Sequence, residues 1–125
     1  MGQQVRIQRV REYVDQPDAS DRTVVLLVDR IWPRGVAKAE VDVPWHKDVA
    51  PSTALRKWFG HQPQRFEEFT RRYREELDGN PATEALLDAA GNGPVLLLYD
   101  AKDVEHNQAV VLADWLRDRR GTGHR

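Results

Sequence analysis

The stretch Val95-Leu96-Leu97-Leu98-Tyr99, followed at once by Asp100-Ala101-Lys102-Asp103 and then Glu105-His106-Asn107, decides the fold. Five apolar residues without alternation describe a strand covered on both faces, the condition of a parallel sheet held between layers. A second run of the same character, Val24-Val25-Leu26-Leu27-Val28, leads into Asp29-Arg30-Ile31-Trp32-Pro33-Arg34-Gly35. Open α/β sheets bind ligands outside the carboxyl ends of their strands, often against a helix N-terminus. Both polar clusters stand at such strand exits, so they mark where a site would lie without naming its chemistry.

Working outward, residues 5–10 alternate apolar and polar and read as a half-buried strand. Residues 15–22, with Pro17, Asp18 and Ser20, read as a surface loop. Residues 36–50 form a long connection containing Pro44, Trp45 and His46. Ser52 is placed to cap a short helix with Ala54, Leu55, Trp58 and Phe59 on its apolar face, stopped by Gly60. From Pro63, the residues Phe66, Phe69, Tyr73 and Leu77 make one stripe of a longer helix. Pro81 opens a third helix with Leu86, Leu87 and Ala90 inside. The spacing predicts a last helix over residues 104–119, with Ala109, Leu112, Ala113 and Leu116 inward. The expectation is a single small layered α/β domain over residues 1–125, a short, partly parallel sheet flanked by helices. Its ordered core would span about residues 5–118, and residues 119–125 would form a flexible tail.

The totals agree with one domain. The 125 residues are 40% hydrophobic and 31% charged, the balance of a soluble globular chain. A net charge of −1 and a pI near 6.4 give no global case for binding nucleic acid or an anionic membrane. The chain has no cysteine, which excludes disulfides, thiolate metal sites and cysteine nucleophiles, and leads us to expect a cytoplasmic protein. No apolar run approaches the roughly 18 residues needed to span a bilayer, and Met1 to Arg6 lack the hydrophobic region of a signal peptide.

At the first exit, Arg30 and Arg34 can present planar forks to a carboxylate or phosphate. Asp29 is either a scaffold carboxylate, capping a turn or paired with an arginine, or the group that orients a histidine. Trp32 and Trp45 flank this region; such residues more often plug a core end than stack on a ligand. At the second exit, Asp103 is placed to cap the last helix, which puts His106 in the first turn as general acid or base, with Lys102 and Asn107 as donors. The bland alternative there is a polar helix start with a solvent-facing histidine. His61 follows a helix end. A site built from histidines with Asp29, Asp100 or Asp103 is chemically conceivable, but no histidine pair has ligand spacing, so neither a metal nor another cofactor is expected. No glycine-rich phosphate loop or nucleophile elbow is present.

The chain resembles domain-of-unknown-function family 488, in its YeaO-like branch. The resemblance rests on three stretches in order: residues 28–35 (VDRIWPRG), 50–61 (APSTALRKWFGH) and 98–109 (LYDAKDVEHNQA). It implies a small cytoplasmic α/β domain with no settled activity, and its matching positions are Asp29, Arg30, Trp32, Arg34, Arg56, Trp58, His61, Lys102, Asp103, His106 and Asn107. The leading expectation is a site for a small anion or nucleotide-like ligand. Arg30, Arg34 and Lys102 would bind negative charge, His106 would act as acid or base oriented by Asp29 or Asp103, Asn107 would position the ligand, and Trp32 or Trp58 would wall it. Arg56 and His61 complete the candidate set. Two other readings stand beside it: a non-enzymatic module that binds protein or nucleic acid through arginine and tryptophan, and a metal-dependent hydrolase using His61 or His106. The sequence leaves open whether any reaction is catalysed and what the oligomeric state is.

Overall fold

The computed structural model describes residues 4–17 and 22–122. Three strands form one sheet: β1 (Val5–Arg9), β2 (Val24–Leu27) and β3 (Val95–Tyr99). Their order is β1-β3-β2, and both pairings are parallel, with Val95 in register with Val5 on one side and Val24 on the other. The sheet is thus parallel throughout its named strands, where the sequence led us to expect only a partly parallel one. The central place of β3 explains its unbroken apolar run: both edges are hydrogen-bonded and both faces covered, so all five residues are buried.

Side chains alternate across the strands and supply two cores. Leu26, Val28, Val95, Leu97 and Tyr99 face the larger one, built with α2 (Thr53–Phe59), α3 (Phe66–Asp78), α4 (Ala82–Ala90) and α5 (Gln108–Thr122). Val25, Leu27, Leu96 and Leu98 face the smaller one, covered by α1 (Val10–Asp15) and by Trp32, Val36, Val41, Val43 and Trp45 from the connection. Trp32 and Trp45 meet edge to face with centroids 5.2 Å apart. The Trp32 indole N–H donates to the Val36 carbonyl and that of Trp45 to the Asp29 carbonyl. Both therefore plug the end of this core, as tryptophans with a satisfied N–H do.

Several helix boundaries follow from caps visible in the sequence. The Ser52 hydroxyl accepts the Leu55 N–H at 3.1 Å, and Gly60 closes α2 at φ 55°. The predicted stripe of α3 is buried at Phe69, Tyr73 and Leu77, and the Tyr73 hydroxyl donates to the Val49 carbonyl at 2.6 Å. Inside α5, Ala109, Leu112, Ala113 and Leu116 are buried as expected, and so are Val111 and Trp115.

Other boundaries differ. The alternation of β1 ends at Arg9, and Val10 opens α1, a helix too short for its period to register in sequence. The expected surface loop is part helix at Asp15, and its residues 18–21 lie outside the described residues. The last helix starts at Gln108, not near 104, because the Asp103 carboxylate accepts the Glu105 and His106 N–H groups in a local turn. Asn107 is the residue that caps, its Oδ1 accepting the Val110 N–H at 3.1 Å. The expected tail is helical as far as Thr122, with Arg120 buried and donating to the Gly93 carbonyl. Residues 123–125 lie outside the described residues.

Candidate functional site

At the carboxyl ends of β2 and β3 lies a cleft of about 860 Å³, bounded by the two strand exits, α2, His61, Phe69 and the start of α5. Parallel strands force this convergence, since all three exits emerge at the same edge of the sheet. Of the residues expected from sequence, Asp29, Arg30, Trp32, Arg34, Arg56, His61, Lys102, Asp103 and Asn107 line it.

Two expected residues do not. The Trp58 ring is covered by the guanidinium groups of Arg72 and Arg65, at 4.4 and 5.3 Å from its centroid, and is not part of the lining. Arg65 also donates to the Trp58 carbonyl. His106 is likewise outside the lining: its Nδ1 lies 3.0 Å from Asp103 Oδ2, and its ring stands edge-on to Phe66, with centroids 5.2 Å apart. The early turn at Asp103 causes this, because it places His106 before α5 and not on its first turn. Asp103 itself is held below the usual carboxylate range, first by the Glu105 N–H and with a contribution from His106.

Asp29 ties the site together. Its Oδ2 accepts the Asp100 N–H at 2.9 Å, and its Oδ1 accepts the Gln108 side-chain amide at 2.8 Å. Among the described residues it has no arginine partner. Arg30 turns outward to Asp48 at 3.1 Å, an exposed pair of little energetic weight. Burial pushes the Asp29 carboxyl up to about 7; the Asp100 N–H works against this rise and the Asp100 charge adds to it.

The cleft carries more positive charge than its neighbours neutralise. Arg34, Lys57 and Lys102 line it without an ion pair or side-chain hydrogen bond to any described residue. Arg56 gives one Nη to Thr53 Oγ1 at 3.1 Å, while its Nε is buried without a partner. Phe59, Phe69 and Tyr99 supply an apolar floor. His61 is held at φ 58°, a left-handed conformation that costs a non-glycine residue roughly 1–2 kcal/mol. That strain, directly after Gly60, turns the chain so that His61 borders the cleft.

Sequence reasoning missed Gln108, Lys57, Tyr99 and the two arginines that frame the β3 exit. Arg9 donates to the Ala101 and Asp100 carbonyls. Arg11 binds the Asp100 carboxylate at 2.7 Å and the Arg34 carbonyl at 2.9 Å. Arg9 ends β1 and Arg11 follows it, at a third strand exit, and both would have been found by treating it like the other two. Among the described residues, no three His, Asp or Glu side chains come together to hold a metal ion. No helix among them is long and apolar enough to cross a membrane.

Fold and site together define a small α/β domain with a cation-lined cleft at its strand ends. The chain belongs to the DUF488 family: a family profile described as "Inactive DUF488-N3 subclade" matches residues 4–123. It is 45% identical over 116 residues to the uncharacterised protein Rv3073c of Mycobacterium tuberculosis, covering 92% of this chain and 95% of that one. It is 38% identical over 115 residues to the uncharacterised protein YeaO of Escherichia coli, covering 90% and 96%. No solved structure matches.

Proposed function

We propose that this protein binds a small molecule bearing an oxyanion in the cleft and does not chemically transform it. The observation that carries this reading is the convergence of Arg34, Lys57 and Lys102, none paired with a described residue, on a cleft floored by Phe59, Phe69 and Tyr99. Unpaired cations facing a partly apolar hollow are groups whose charge a ligand would satisfy, and the volume suits a small organic molecule. Three further points favour binding over turnover. The subclade is described as inactive, the one histidine expected to move protons is engaged with Asp103 and Phe66, and the chain has no cysteine nucleophile. The metal-dependent hydrolase reading lacks a donor set among the described residues.

A thermal-shift series with inorganic phosphate, sulfate, nucleotides and dicarboxylates tests the proposal. A ligand at a hundred times its Kd stabilises the folded form by about 2.7 kcal/mol, so a binder raises the melting temperature by several degrees. The shift should vanish in an Arg34→Ala/Lys102→Ala double variant. No shift with any anion, or one unchanged in the double variant, overturns the reading. A second reading, docking of a macromolecule on the cleft lip, draws on Ile31, which is 70% exposed between Arg30 and Trp32. Retention on immobilised nucleic acid that weakens steeply with salt would favour it.

A further inference from the structure

Building on the anion-binding reading, we propose that Asp29 and the bound oxyanion hold one proton between them, so that the cleft selects oxyanions that carry their own hydrogen over fully ionised ones. The selected class is hydrogen phosphate and oxyanion groups with an O–H on or beside them; the rejected class is represented by sulfate.

The argument starts from lone pairs. A carboxylate offers about four acceptor positions, and Asp29 uses one on each oxygen, for the Asp100 N–H and for Gln108. The remainder belong to a group that lines the cleft and forms no ion pair among the described residues. An anion drawn in by Arg34, Lys57 and Lys102 therefore shares the cleft with a carboxylate. Two bare negative oxygens repel, whereas one proton between them makes a short, charge-assisted O–H···O bond. Hydrogen phosphate donates that proton. Sulfate has none, so Asp29 must first take one from solvent.

The charged surroundings of Asp29 are mixed. The β3 exit contributes Asp100, neutralised by Arg11, together with Lys102 and Asp103. The β2 exit contributes Arg30 and Arg34, and α2 contributes Arg56 and Lys57. From α3 comes Tyr73, whose buried hydroxyl is committed to the Val49 carbonyl, and α5 presents only the neutral Asn107 and Gln108. His61 also lines the cleft. Burial leaves Asp29 ionising near 7, so above neutrality it is charged and the two classes of anion separate.

Calorimetric titration of the whole protein with sulfate and with inorganic phosphate, from about pH 7.5 to about 9.5, tests this above the ordinary histidine range. Sulfate affinity should fall about tenfold for each pH unit above 7, relative to phosphate. The ratio of the two affinities cancels any titration of Lys57 or Lys102 common to both. Asp29→Asn should make the ratio independent of pH. Independently of any variant, sulfate binding to the unmodified protein near pH 8.5 should take up about one proton, measured in two buffers of different ionisation enthalpy, and phosphate binding none. Parallel pH profiles for the two anions, or equal proton uptake, overturn the role of Asp29 while leaving the anion site intact. Failure of both anions to bind even near pH 6 overturns the site and the inference together.

Discussion

Replacing Asp29 with asparagine should change how the fold responds to pH, with a size and a sign that follow from burial. Asp29 ionises near 7 in the folded protein against an ordinary value of 3.8. Between these values the unfolded chain has released its proton and the folded chain has kept it, so stability falls as pH rises through that window and is level above it. At about 1.4 kcal/mol per pH unit the whole loss is about 4 kcal/mol, a ceiling set by water entering the cleft. That is a large fraction of the roughly 5–15 kcal/mol that holds a domain together. Glu68, held down to about 2 by Arg71 and Arg72, loses its contribution as pH falls below 4.5, which touches only the acid edge of the window and is common to parent and variant. In the variant, the asparagine oxygen keeps the Asp100 N–H, while its amide faces Gln108, which must turn over at a cost of about 1 kcal/mol. The variant should thus be slightly less stable than the parent near pH 4 and more stable by up to about 3 kcal/mol near pH 8. Urea unfolding at both pH values, followed by far-ultraviolet circular dichroism, measures the crossing. Parallel stability curves for parent and variant would refute the argument.

Tyr73→Phe leaves the buried Val49 carbonyl without its donor and should cost about 1–3 kcal/mol in the same assay, with little change in cleft chemistry. Leu97→Ala opens a void at the centre of the sheet, where Leu97 is fully buried, and should cost about 3–5 kcal/mol. Asn107→Ala removes the α5 cap and the donor to the Asp103 carbonyl, and should lower stability by about 1–2 kcal/mol by chemical unfolding. Lys57→Ala should leave the melting temperature of the free protein within about 1 °C, because it breaks no pairing, while weakening phosphate binding severalfold by titration.

Much of this architecture was legible in the sequence, for physical reasons particular to each part. A central strand buried on both faces has to be apolar at every position, so β3 announced itself, and Ser52, Gly60 and the Phe66–Leu77 stripe carry standard cap and period chemistry. The strand exits located the cleft because a parallel sheet puts them at one edge. Strand order was not legible, which hid β1 as a third contributor and with it Arg9 and Arg11. The placement of His106 is hidden by a competition between two caps: Asp103 and Asn107 are both good N-cap residues, and in sequence the nearer to the strand reads as the start of α5. Trp58 failed because nothing local in the sequence shows that Arg65 and Arg72 fold back over its ring.

With β3 sitting between β1 and β2, the sheet assembles out of the order in which the chain is made. Apart from the short bridge between Leu27 and Trp45, neither early strand has a ladder partner until Val95 to Tyr99 leave the ribosome. At roughly 5–20 residues per second that is a delay of several seconds, during which only local helices can form. Two bare parallel edges wait through that interval, and joining them to each other would exclude the strand that belongs between them. A nascent chain stalled before Val95 should therefore display helical protection and no protected strand amides, the sheet arriving in one late insertion.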